Sequence, residues 1–412
     1  MAMNHEITIE LNAEETTSQN NIVFDIKGNN ISGLHKSIVN ALRRTLLSSI
    51  KTVGFRTTTD SSDIIVKRNT TSLHNEYLLH RIGLIPLYIN PEEYNKTFLF
   101  KLDIESSPDV PIKLITAKDF KIFKLKQDIN PDDITDIDVN DYETKEFTDE
   151  EKAVMFRPFI FKEKENYSII TEVKSTGSST PQKLELYGVP RISTGYEDSR
   201  WQAVSKSTYR FKSNPDLFRS VLEEKIKVND IPEEKREKYT KELEISESER
   251  FYYRDTNCEP YWYTFMIDSV HYYNSKELFI EATNILVEQL TIFKDELPKL
   301  STEEDNIFKL DINENTYHLT VHGFDDTIGN IIQSHISLYM IDEDSICSLC
   351  GYKKTHPLED TIEFYFTFNL NHKLSKADNQ KKLNGFIQTF QEACENLINI
   401  VSMIKKEANS NL

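Results

Sequence analysis

The sequence predicts an α+β protein made of two β-β-α…β-α units, the first of which carries a large, mainly β insert. Two observations lead there. A hairpin–glycine–helix pattern near the N-terminus returns close to residue 305, and each copy is completed further on by a strand and a long helix. The length of 412 residues, at roughly 150 per domain, allows two or three domains and a large core.

The elements follow in order. Ile7, Ile9 and Leu11 alternate with polar residues, and Ile22, Phe24 and Ile26 do so again, the period of a hairpin with one buried face. After Gly33, Leu34, Ile38, Leu42 and Leu46 recur at i+4, widened by Val39, Leu47 and Ile50. That is an amphipathic helix with Ser32 as its predicted N-cap. In the second copy Leu310 and Ile312 precede a turn at Asn313-Glu314-Asn315, and Tyr317, Leu319 and Val321 return. Gly323 and a capping Asp325-Asp326 introduce a helix through Ile328, Ile331, Ile332, Ile336 and Met340.

The second unit closes with a strand through Ile362, Phe364, Phe366, Phe368 and Leu370, then a helix through Leu383, Phe386, Phe390, Ala393, Leu397, Ile400 and Ile404. The first closes with Tyr263, Phe265 and Ile267, then Ala282, Ile285, Leu286, Gln289, Phe293 and Leu297. About 200 residues separate its first helix from that last strand. Within them, Asp128 to Glu151 is acidic, and Lys225 to Arg250 mixes both signs and is predicted partly helical. Both read as solvated surface, or as docking sites for a basic partner.

Composition narrows the function. Hydrophobic residues at 38% and 23 Phe indicate a folded chain. Mean hydropathy of −0.51 and the lack of an 18-residue apolar run predict no transmembrane helix and no membrane partner. Residues Met1 to Leu11 lack a signal-peptide pattern, so secretion is not expected. Four cysteines fit a reducing compartment. A net charge of −18 opposes binding to phosphate backbones, so nucleic-acid binding would need a local basic patch.

No catalytic constellation emerges. Cys347 and Cys350 have ligand spacing, but Cys258 and Cys394 stand alone and a structural zinc needs four ligands. His74 and His80 are six apart, which does not place them on one helical face. Ser175-Thr176-Gly177-Ser178-Ser179 lacks the Gly-Lys-Ser/Thr ending of a phosphate loop, and no Gly-x-Ser-x-Gly occurs. The expectation is a non-enzyme with no cofactor and no metal. One helix is unusual: Asn40-Ala41-Leu42-Arg43-Arg44-Thr45-Leu46-Leu47-Ser48-Ser49 sets two arginines among apolar and small residues. They read either as a solvated edge or as guanidinium forks reaching a partner.

Asn40 to Ser49 resembles the signature of the alpha subunit family of DNA-directed RNA polymerases. Leu73 to Leu87 (LHNEYLLHRIGLIPL) and Ser199 to Ser205 (SRWQAVS) are similar to the large alpha-like subunit. Asp325 to Asn330 (DDTIGN) and Gly351 to Glu359 (GYKKTHPLE) are similar to its small partner. The stretches at roughly 90–185 and 211–255 diverge. A cysteine cluster common in the large subunit's insert is missing, so metal binding is not carried over. The fusion of both subunits into one chain resembles large cytoplasmic DNA viruses.

The resemblance implies two dimerisation units paired about a pseudo-twofold axis, without a homodimer, forming a platform for assembly and transcription. It implies that the first unit and its insert dock the second-largest polymerase subunit, the second unit docks the largest, and smaller subunits join. Implied interface residues are Asn40, Arg43, Arg44, Leu46, Ser49, His80, Arg81 and Gly83, with Asp326, Thr327, Gly329, Asn330, Gly351, Tyr352, His356 and Pro357. The domains would be 1–51, the insert 52–205, 206–298 with its charged insertion, a linker 299–305, and 306–412. A viral source implies virion and host cytoplasm; a cellular one, the nucleus. The alternative is a free-standing acidic scaffold on the same fold.

Overall fold

The computed structural model describes residues 6–29, 34–58, 61–95, 97–126, 142–175, 181–247, 250–300, 307–313, 316–376 and 378–412. Ser32, Gly33, most of the acidic 128–151 stretch, Thr176 to Ser179, Glu314-Asn315 and most of the linker lie outside them. The chain divides into two compact units. One comprises 1–46, 206–268 and 275–412, and the other 47–205 and 269–274.

In the first unit β1 (Thr8–Leu11) and β2 (Asn21–Lys27) pair antiparallel, with Ile9 opposite Ile26, so the two alternating runs share one buried face. The helix α1 (Lys36–Ser48) buries Ile38, Val39, Ala41, Leu42 and Leu46. It begins at Lys36, so Leu34 is buried ahead of the helix rather than in it.

The chain then forms the second unit. Its elements are β3 (Lys51–Gly54), β4 (Ile64–Asn69), α2 (Asn75–Gly83), β5 (Phe98–Glu105), β6 (Ile112–Thr116) and β7 (Lys121–Leu125). They continue as β8 (Tyr142–Glu146), α3 (Asp149–Phe156), β9 (Phe159–Phe161), β10 (Lys164–Asn166), β11 (Ile169–Lys174), β12 (Lys183–Gly188) and β13 (Arg191–Thr194). A five-stranded sheet of order β4-β12-β5-β7-β8 is joined by the pairs β11-β6, β10-β9 and β13-β3. Its core gathers Phe55, Leu78, Ile82, Phe100, Phe120, Ile170 and Leu186. Within it Asp63 is fully buried and takes bidentate hydrogen bonds from Arg191, which satisfies a charge that would otherwise be costly there.

Back in the first unit come β14 (Val204–Phe211), α4 (Pro215–Val228), α5 (Glu233–Glu247), β15 (Trp262–Ser269) and α6 (Ser275–Glu296). The last segment adds β16 (Phe308–Asn313), β17 (Thr316–His322), α7 (Asp326–Tyr339), β18 (Cys347–Lys354), β19 (Thr361–Phe368) and α8 (Asn379–Asn411). The charged stretch is partly helical, as expected, holding the end of α4 and the whole of α5. Asn214 caps the first through the backbone N–H groups of Asp216 and Leu217, with Pro215 in the first turn. Leu370 lies beyond its expected strand and is 65% exposed, because β19 ends at Phe368.

Two four-stranded sheets result, of order β1-β2-β15-β14 and β16-β17-β19-β18. The strand order is the same in both. In each, the fourth strand was not legible as part of the repeat. The helix following each third-position strand packs on the other: α6 lies against α8. They run antiparallel, since Lys294 near the end of α6 pairs with Glu395 midway along α8 (3.7 Å). Lys276 at the start of α6 donates to the carbonyl of Asn409 at the end of α8 (3.0 Å). The seam is aromatic. Phe293 of α6 is fully buried with ring centroids 5.1 Å from Phe308, 5.5 Å from Phe324 and 6.3 Å from Phe390.

Candidate functional site

The motif residues gather in three places. The first joins α1 to the start of α7. Asp325 caps α7, its carboxylate accepting from the Thr327 N–H (2.9 Å) and the Thr327 hydroxyl (2.9 Å). Arg44 reaches the same pair, Nε donating to Thr327 Oγ1 (2.9 Å) and Nη2 to Asp325 (3.2 Å). A carboxylate at a helix N-terminus is already favoured by the backbone dipole, and the guanidinium adds charge-assisted bonds. Arg44 therefore does not offer its fork outward as the sequence suggested. It ties the two repeats together.

Its neighbour behaves differently. Arg43 Nε donates to Asn40 Oδ1 (2.9 Å), and its terminal guanidinium nitrogens make no hydrogen bond among the described residues. The Arg43 carbonyl accepts from Ser207 (3.2 Å). Burial pushes the Tyr209 phenol above its ordinary range, opposed by the charge of Arg43. Leu46 corrects the expectation outright: it is fully buried, because the i+4 stripe turns it into the core. Ser49 is half-buried beside Ser48 (Oγ···Oγ 3.2 Å).

The second place is α2 in the insert unit. Gly83 is buried where a Cβ would collide with Thr57 and meet Arg200 at 2.6 Å. It thus admits Arg200, which donates to the Phe55 carbonyl (3.3 Å). The glycine serves packing between two motifs far apart in sequence, not an outer contact. Asp198 feels burial, which raises its carboxyl, but the backbone N–H and guanidinium of Arg200 overcome this and hold it below the ordinary range. His80 and Arg81 are exposed, the latter donating to the Ile169 carbonyl (2.7 Å).

The third place is α7 against β18. Gly329 is buried with a hypothetical Cβ only 2.7 Å from the Tyr352 ring, so it and the equally buried Thr327 position the surface rather than form it. Asn330 approaches the Tyr352 hydroxyl (3.5 Å), and Asp326 is half-buried in the first helical turn. Gly351 has open space around it, and His356 and Pro357 are exposed in a loop where Leu358 is 89% exposed. Glu363 anchors that loop. It accepts from Thr355 (2.8 Å), His318 (3.0 Å) and Tyr365 (3.0 Å), and pairs with Lys353 (3.0 Å). Burial raises its carboxyl, but these donors prevail and bring it down to about 2.

The cysteine spacing resolves as a strand. A bulge between Cys347 and Leu349 leaves Cys347 and Cys350 both buried, and burial drives the Cys347 thiol up to about 12 and Cys350 well above its ordinary value. Among the described residues no three His, Cys, Asp or Glu side chains are placed to hold a metal.

Residues 30–194 match the family described as the RNA polymerase Rpb3/Rpb11 dimerisation domain. "DNA-directed RNA polymerases I and III subunit rpac1" of Dictyostelium discoideum is 25% identical over 307 residues, covering 69% of this chain and 80% of that protein. These matches support an alpha-like subunit of RNA polymerase. It is itself non-catalytic, an assembly component of a multisubunit enzyme. Shorter matches are "DNA-directed RNA polymerase subunit Rpo3" of Pyrobaculum neutrophilum and a "Conjugation stage-specific protein" of Tetrahymena thermophila. The first is 39% identical over 57 residues (14% of this chain, 20% of that protein), the second 45% over 51 residues (12% and 14%).

The exposed members of the predicted set are thus His80, Arg81, His356 and Pro357, with Asn40, Arg43, Arg44, Ser49, Asp326, Asn330, Gly351 and Tyr352 half-buried. The sequence reading missed Asp325, Arg200 and Glu363. In the sequence Asp325 carries only the signal of a helix cap, and Arg200 only that of a motif member. For Glu363 no local signal existed, since its donors come from three separate stretches.

Proposed function

We propose that this subunit holds both partners of an alpha-type pair in one chain. Its halves pair about a pseudo-twofold axis through α6 and α8, and the paired platform docks the two largest polymerase subunits. One observation carries the reading: the order β1-β2-β15-β14 recurs as β16-β17-β19-β18, and the helix of each sheet packs antiparallel on the other. Arg44 joining Asp325 and Thr327 supports the same pairing. With the dimerising faces covered within one chain, no homodimer is expected.

Arg43, His80 and Arg81 are the proposed contacts to the second-largest subunit, and Asp326, Asn330, Tyr352, His356 and Pro357 those to the largest. Smaller polymerase subunits complete the assembly, and DNA is reached only through it. The fused arrangement extends the proposal to a viral enzyme in virions and host cytoplasm.

Purification of the tagged chain from its native source tests this. Two very large subunits, one copy each per chain, are expected. A chain recovered alone or only with unrelated proteins sinks the reading in favour of a free-standing scaffold. Recovery from nuclei and never from particles sinks the viral part.

A further inference from the structure

We infer that His35 is a proton-operated latch on the first turn of α1, closed while its ring is neutral and released in acid. The inference goes beyond the platform reading and does not depend on it.

The latch is a helix cap. His35 stands immediately before α1, and its carbonyl already accepts from the Ile38 N–H (3.1 Å). Its ring turns back on the helix, where Nδ1 accepts from the Ser37 N–H (3.3 Å) and the Ser37 hydroxyl (2.8 Å). The first N–H groups of a helix have no partner within it, and side-chain oxygens usually take them. A ring nitrogen can do so only with its lone pair free, so the proton of the neutral ring sits on Nε2. Helix α7 supplies the comparison. There Asp325 accepts from the N–H (2.9 Å) and the hydroxyl (2.9 Å) of Thr327, the same two groups two residues on. A carboxyl group keeps an acceptor oxygen whether or not it is protonated, whereas the imidazole loses its only one.

Protonation opens the cap and offers the ring another place. Ser37 is buried, so losing Nδ1 as an acceptor strands its N–H away from water. The imidazolium also sits against the positive end of the helix dipole. On its other side Nε2 lies 3.9 Å from the Glu259 carboxylate, which Lys36 also reaches (2.8 Å). The neutral ring thus belongs to the helix and the charged ring to the loop at 255–259. Burial of the side chain, only 9% exposed, is the largest influence on the ring. Glu259 and Asp255 oppose it and Lys36 reinforces it, and the outcome is a titration below the ordinary 6.5. Tyr209, Tyr263 and Tyr339 face the same corner, but burial holds all three above their ordinary 10, so none titrates with His35. The cap therefore contributes fully above pH 6.5 and fades as pH falls below it.

Backbone hydrogen exchange of the full chain at pH 7.5 and 5.0, corrected for the intrinsic rate at each pH, tests this. Protection over 34–40 should fall about tenfold in acid, while protection over 324–331 at the start of α7 should hold. His35→Asn keeps an acceptor at the cap that cannot titrate, so its protection over 34–40 should be the same at both pH values. Exchange at the C2 carbon of the His35 ring reads its titration directly in the unaltered chain, with a midpoint below 6.5 expected. A midpoint at or above 6.5 overturns the inference. So does protection over 34–40 that is unchanged in acid, or that falls no further than over 324–331. An acid loss in His35→Asn as large as in the unaltered chain overturns it as well. Should that variant not fold, the ring midpoint and the contrast between the two helices decide the matter.

Discussion

Phe293 and Phe161 are the same side chain in opposite circumstances. Phe293 is held on α6 among Phe308, Phe324 and Phe390, all supplied by the other repeat, and is fully buried. Phe161 stands on a three-residue strand and is 56% exposed. The seam between α6 and α8 satisfies itself within the chain, while the β9–β10 pair does not. Stability should therefore respond to a substitution at the one and not at the other.

The largest effect is expected at the seam. Phe293→Ala should cost about 3–5 kcal/mol by leaving a cavity among rings that cannot collapse, measured by chemical denaturation. Phe161→Ala should change stability by less than about 0.5 kcal/mol, as at most surface sites. Equal losses at both positions would break the comparison.

Next comes Gly329→Ala, whose new Cβ would press on the Tyr352 ring. A cost of roughly 1–3 kcal/mol is expected from overpacking. Gly351→Ala, with open space at the corresponding position, should have little effect in the same assay. A cost at Gly329 that persists when Tyr352 is shortened to Leu would argue against the ring as its cause.

Glu363 supplies an acid-dependent contribution. Its carboxyl titrates near 2 in the fold, below the ordinary glutamate value of 4.5, so its donors stabilise the fold fully above 4.5. That contribution should fade as pH falls from 4.5 through 2. Denaturation at a series of pH values should show a shallower decline in Glu363→Gln; an unchanged slope would remove Glu363 as its source.

The smallest effect concerns the partly exposed Arg44–Asp325 pair. A double-mutant cycle with Arg44→Ala and Asp325→Ala should give coupling of about 0.5–1 kcal/mol. Arg43→Ala should leave stability nearly unchanged yet weaken capture of the second-largest subunit. If Arg44→Ala alone abolished capture with full stability, its outward role would return.

Much of this architecture was readable as periodicity. Ile362, Phe364, Phe366 and Phe368 alternate because β19 packs one face against α7 and α8, and the i+4 stripe of α1 marks its buried side. Signals of that kind are local, with period two or 3.6. Strand β18 escaped because Gly351, Lys353 and Lys354 and a bulge blur its alternation. The start of α4 escaped as well, though Asn214-Pro215 is a start signal in plain view.

The sequence by itself determined the hairpin–helix patterns, the core faces and the motif segments similar to an alpha-like subunit. Tertiary structure alone decided what each motif residue does. Arg43 and Arg44 are adjacent and chemically identical, yet Arg44 meets Asp325, 281 residues away, while Arg43 bonds Asn40 three residues back. Gly83 became the seat of Arg200, and Phe159 to Phe161 stayed in the open. The physical reason is range. Backbone periodicity is set by neighbours along the chain, but a side chain's burial and partners depend on which distant segment the fold brings beside it.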